Sequence, residues 1–198
     1  MKLKEVLTAV LDIVLILLLI GSAFTDLRYR KIPNLLTIPA LLSGLVLQGI
    51  AAGGPGVLES FLGIGTGFFL FLLPFISGAM GGGDLKLAAA IGALKGWVFL
   101  LQAMVVSVAA GGILILAYAI YKGRLRETLM KTLGYLAIPI GKALYLGTGK
   151  DFFRKTYEPF LEIGSGEKPL YVPYGLPMAI GTLLLLSGIL KPLFGTLL

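Results

Sequence analysis

The chain has 198 residues and contains no cysteine and no histidine. That inventory excludes disulfides, thiolate nucleophiles, histidine general bases, Ser-His-Asp triads and metal sites built from His or Cys. Hydrophobic residues make up 57% and charged residues only 14%, against about a quarter charged in an ordinary soluble domain, so the chain reads as an all-α polytopic membrane protein forming one domain over 1–198. The net charge of +7 is assigned to cytoplasmic loops and anionic lipid rather than to nucleic acid, because no basic run is interleaved with aromatics.

The first apolar run covers about 6–25 and follows Lys2 and Lys4. Its Gly21-Ser22-Ala23 end is like a signal-peptide cleavage site. Retention of the span is expected, since cleavage would strip Asp26 of the helix that positions it, and Asp12 is foreign to a signal peptide's apolar core. Pro33-Asn34 breaks the chain before a second run at 35–52, and Gly53-Gly54-Pro55-Gly56 makes the turn into a third at 57–79. Further runs lie at 85–95, 97–121 and 171–190, giving six expected transmembrane helices. The fourth is short: about 16 Å of helix against a hydrocarbon core of about 30 Å. Either its helix starts below the membrane surface or the segment dips in and returns; both place Asp84 beside a buried, wettable pocket.

Charge sets the orientation. With both termini outside, Arg28, Arg30, Lys31, Lys86 and the basic residues of loop 122–170 all fall inside, leaving Lys2, Lys4, Lys95 and Lys191 outside. This puts Asp26 and Asp84 on the same, cytoplasmic, side of a multi-pass inner (plasma) membrane protein. Within the loop, Arg126 to Leu146 mixes apolar and basic residues, as an amphipathic stretch on the membrane surface or a plain connector would. Asp12 and Glu59 lie toward the outer side, as polar packing or a helix cap.

Acids at the ends of separate spans are functional-site candidates by default, because a carboxylate near lipid is expensive. Asp26 ends the first run in Thr25-Asp26-Leu27-Arg28-Tyr29-Arg30-Lys31-Ile32-Pro33-Asn34. Asp84 precedes the fourth in Gly81-Gly82-Gly83-Asp84-Leu85-Lys86. Two close carboxylates cannot both ionise cheaply, so they share a proton. One can act as base on a water and the other as acid on a scissile carbonyl, without metal, cofactor or nucleophile. Each acid alone has a plainer explanation: a Gly-rich turn for Asp84, a helix cap or a pair with Arg28 or Arg30 for Asp26.

Taken in order, these two blocks resemble the type IV prepilin and preflagellin peptidases, GxGD-type membrane aspartic peptidases. A third block, Val172-Pro173-Tyr174-Gly175-Leu176-Pro177-Met178-Ala179, looks like that family's Pro-aromatic-Gly-Pro segment with Leu176 inserted. The resemblance implies that Asp26 and Asp84 are the catalytic aspartates and that Gly81 and Gly83 allow a strained turn. It also implies cleavage of a short basic leader from prepilin-like (class III signal peptide) precursors at the cytoplasmic face. Many bacterial relatives add a CxxC-bearing domain and methylate the new N-terminus; here, without cysteine, the short peptidase-only form is expected and methyl transfer is not. Lys86 either holds the charge of the pair, binds lipid phosphate or snorkels to the interface. A basic leader calls for acids, so Glu158 and Glu162, with Pro173 and Gly175 of the third block, are the substrate-binding candidates. Two other classes compete. A small cation-coupled transporter would use Asp26 and Asp84 as ion ligands around a broken helix, and a scaffold would use neither. Oligomeric state is not legible.

Overall fold

In the computed structural model, which describes residues 2–76, 80–123, 125, 129, 152 and 174–190, the regular elements are all helices. They are α1 (Lys2–Tyr29), α2 (Asn34–Ala52), α3 (Gly54–Ile76), α4 (Gly82–Lys95), α5 (Trp97–Tyr121) and α6 (Gly175–Leu186). Each expected span has its helix, and α1, α2, α3 and α5 are long and apolar enough to cross a membrane. The chain is an all-α polytopic membrane protein. Loop 122–170, including the Arg126–Leu146 stretch, lies almost wholly outside the described residues.

α1 shows how the sequence selects its inner face. Its buried positions are Leu7, Leu11, Leu15, Leu18, Leu19, Ser22 and Asp26, a stripe recurring every third or fourth residue. The opposite face carries Val10, Ile13, Leu17, Ile20, Phe24 and Leu27, all exposed. A soluble helix would be polar there; a face this apolar is satisfied only by lipid. Asp26 is thus the last member of the inward stripe. α1 ends when the Arg30 amide donates to the Asp26 carbonyl at 2.9 Å and Arg30 turns to φ 53, a left-handed conformation that costs a non-glycine residue. Pro33, extended at φ −72 and ψ 145, then starts α2.

α4 is a single short helix of 14 residues that does not double back. Apart from Lys86, every residue from Asp84 to Leu94 is buried, as expected of a helix apolar on all sides. Small residues permit this enclosure. Gly63 of α3 and Gly92 of α4 face each other backbone to backbone, so that a Cβ on either would collide with the other's carbonyl. A Cβ at Gly67 would stand 2.7 Å from the Ala88 carbonyl carbon, and one at Gly44 of α2 2.6 Å from that of Ala93. The far end of α4 is closed by polar side chains: Gln48 Nε2 donates to the Leu94 carbonyl at 2.9 Å and Ser60 Oγ to that of Ala93 at 2.7 Å. These satisfy terminal carbonyls that lipid could not.

Two compact units divide the chain, Met1–Gly112 with Pro173–Leu198, and Ile113–Val172. The first holds α1 to α4, the start of α5 and α6. In it α3 packs extensively on α4, α2 on both, and α6 on α1. In the second, Lys122 stands over the Tyr118 and Tyr121 rings, 5.9 Å from each.

Candidate active site

Asp26 and Asp84 both lie buried in the first unit. Asp26 is 3% exposed and Asp84 7%, and they are near enough for the charge of Asp26 to act on Asp84. Buried carboxylates require compensation, and each receives a backbone donor. The Gly175 amide, first in α6, donates to Asp26 Oδ2 at 2.8 Å. The Gly81 amide donates to Asp84 Oδ2 at 3.3 Å, while the Asp84 amide donates to the Gly81 carbonyl at 3.2 Å. Asp84 therefore sits at the third position of α4 and reaches back to the residue before the helix, where both the free amides and the helix dipole favour an acid.

The two motif blocks are packed on each other. Ile32, from the connector between α1 and α2, lies against Gly83; a Cβ there would come within 3.1 Å of the Ile32 Cβ and 3.3 Å of its amide nitrogen. Lys86 Nζ donates to Asn34 Oδ1 at 2.8 Å, bridging α4 and the first residue of α2. The connector that follows Asp26 is thus clipped onto the turn that presents Asp84.

Gly81 and Gly83 are not a strained turn. Gly81 has φ −79 and ψ 152, open to any residue, and Gly83 lies within α4 with no positive φ. What requires glycine at 83 is the approach of Ile32. Lys86, exposed as a snorkelling lysine would be, has a specific partner in Asn34. Gly175 touches Asp26: a Cβ at 175 would lie 2.7 Å from Oδ2. Arg28 is exposed, with its Nε donating to the Tyr29 hydroxyl at 3.1 Å. Pro173, Glu158 and Glu162 lie outside the described residues. At the other end of α4, Asp12 pairs with Lys95, and Glu59 Oε2 would lie 3.0 Å from a Cβ on Gly96.

Sequence reasoning passed over Asn34 and Ser22. Ser22 lies one turn before Asp26 on the same face of α1 and is fully buried, and its hydroxyl has no hydrogen-bond partner among the described residues. The buried stripe of α1 was the available signal for it. Buried hydroxyls of this kind are ordinarily satisfied by water.

The sequence profile of the type IV leader peptidase family matches residues 13–116, which include both acids. The chain is 32% identical over 133 residues to a protein of Legionella pneumophila named prepilin leader peptidase/N-methyltransferase. It is 33% identical over 138 residues to one of the same name from Burkholderia pseudomallei strain K96243, and 32% over 139 residues to another from Xanthomonas campestris pv. campestris. These stretches cover 64%, 66% and 64% of this chain and 44%, 44% and 46% of the relatives. The chain thus matches less than half the length of each. No solved structure matches it.

Proposed function

Since the chain belongs to the type IV leader peptidase family, we propose that it is a membrane aspartic endopeptidase removing the basic leader from prepilin-like precursors at the cytoplasmic face, with Asp26 and Asp84 as its catalytic pair. One observation carries this reading. Two acids 58 positions apart, on α1 and α4, are both withdrawn from bulk water and each anchored by a backbone amide, with the connector that follows Asp26 packed on the turn that presents Asp84.

The chemistry follows from the pair. Sharing one proton, the carboxyls bind a water between them. The ionised member takes a proton as that water attacks the scissile carbonyl. The protonated member donates to the carbonyl oxygen; as the C–N bond breaks, the amine leaves with a proton from the pair and the diol returns one of its own, restoring the shared proton. The proposal covers peptide cleavage alone. Recognition of the leader by Glu158 or Glu162, and a cytoplasmic orientation of the pair, rest on sequence and charge distribution.

The test is cleavage of a co-expressed precursor carrying a basic leader. Asp26→Asn and Asp84→Asn should each lower the rate by at least about 10²-fold, the usual contribution of a general acid or base, in protein that remains monodisperse in detergent. Cleavage persisting in the double variant would refute the assignment. Glu162→Gln should slow processing of basic leaders while sparing a neutral one; equal rates on both would remove it from recognition.

A further inference from the structure

Resting on the reading of Asp26 as half of the pair, we propose that Gly175 is a positioning residue of this site. The first amide of α6 fixes the Asp26 carboxyl, and the missing side chain at 175 is what leaves room for it. The matched family stretch ends at residue 116, and Gly175 lies 149 positions from Asp26. α6 nevertheless contributes a site atom.

Three observations converge. The Gly175 amide stands 2.8 Å from Asp26 Oδ2. A Cβ at 175 would lie 2.7 Å from that oxygen, 3.1 Å from the Asp26 Cβ and 3.2 Å from its Cγ. Those are Asp26's own atoms, so any larger residue must displace the carboxyl. Third, α6 is seated and cannot easily yield. Gly181 leaves no Cβ space against the Ser107 backbone, and a Cβ at Gly111 would already stand 3.4 Å from the Pro177 ring. The N-terminal end of a helix favours an anion at this place. Tying one oxygen to an amide restricts the Asp26 carboxyl to one orientation toward Asp84, and small misplacements of reacting groups are costly to rate. Gly175, a substrate-binding candidate by sequence, thus also acts on the catalytic carboxyl.

Two variants probe the contact. Gly175→Ala keeps the amide and adds the Cβ. Gly175→Pro adds a ring as well and removes the N–H, so its loss beyond that of Gly175→Ala reads the hydrogen bond together with the strain on Tyr174, whose helical conformation a following proline disfavours. With a leader-bearing precursor in detergent micelles, each should lower kcat by roughly 10- to 100-fold with little change in KM, and should displace the pH–rate profile. A mere loss of folded protein would scale that profile without moving it. Leu176→Met, one residue on, should behave like the parent chain. A Gly175→Ala enzyme with parental kcat and an unmoved profile would overturn the proposal.

A second measurement needs no variant at 175. Tyr174-Gly175 is the chain's single Tyr-Gly pair, so ¹³C-carbonyl tyrosine with ¹⁵N-glycine labels one amide signal. That signal should shift in Asp26→Asn; an unmoved signal would overturn the hydrogen bond. If instead both aspartate variants still cleaved while the signal shifted, the peptidase reading would fail and the contact would stand.

Discussion

Gly81 and Gly83 occupy equivalent-looking places in one short motif, yet different contacts hold them. Gly81 contributes an amide to Asp84 from an ordinary extended backbone, and a Cβ there would stand 3.6 Å from Asp84 Oδ2, an ordinary contact. Gly83 has Ile32 where a Cβ would go. Gly81→Ala should therefore keep cleavage within about threefold, with a cost below about 1 kcal/mol for a poorer helix cap. Gly83→Ala should push Ile32 and its connector away, costing about 1–3 kcal/mol as overpacking does and slowing cleavage at least tenfold. Rates and thermal midpoints of the two purified variants test the contrast; equal effects would show that the motif acts as one strained turn. At this scale the identity of the two acids was legible, because a carboxylate bordering a span is expensive wherever it lies. The reason for each glycine was not, because it depends on what stands opposite.

At the scale of elements, the site depends on the connector between α1 and α2 lying on the start of α4. The Lys86–Asn34 hydrogen bond is its polar contact and Ile32 on Gly83 its apolar one. Lys86 and Asn34 are exposed, so the bond competes with water. Lys86→Met and Asn34→Ala should each cost about 0.5–1.5 kcal/mol and show coupling in a double-mutant cycle on cleavage rate, which two independent surface residues would not. The far end of α4 is buried and should be less forgiving. Ser60→Ala leaves the Ala93 carbonyl without its donor and should cost about 1–3 kcal/mol, read as a lowered unfolding midpoint in detergent. The stripe of α1 was readable from spacing, as was the shortness of α4. That α4 is one helix enclosed by its neighbours was not, since a short apolar run fits an enclosed helix and a returning segment equally.

For the whole molecule, charge placement and ion pairing make separate claims. The proposed orientation, with the pair's end of the bundle inside, rests on the basic residues around Arg28–Lys31. Because the chain has no cysteine, single cysteines report orientation cleanly. A cysteine at position 31 should react with a membrane-impermeant thiol reagent only after cells are opened, and one at position 54 in intact cells. The reverse pattern would invert the orientation. Within the bundle α1 touches α4 only lightly, and Asp12–Lys95 ties these two helices at the end away from Asp26 and Asp84. The side chains of Lys95 and Asp12 are 16% and 34% exposed, so breaking the pair should cost about 1–2 kcal/mol, less than the 3–5 kcal/mol of a fully enclosed one. Lys95→Met should show this loss, and the exchange Asp12→Lys with Lys95→Asp should recover most of it.

The amino-acid sequence by itself determined that this chain lives in a membrane, where its helices run, and which two carboxylates are out of place in that environment. Those properties follow from composition and local spacing, which each segment carries without reference to the others. Only the tertiary structure decided that Asp26 rests on an amide 149 positions away, that Lys86 answers Asn34 rather than lipid alone, and that Asp12 and Lys95 are partners. Each of these is a meeting between segments remote in the chain, fixed by how close glycine and alanine surfaces let the helices come. No periodicity within a single segment encodes which remote backbone will fill that space.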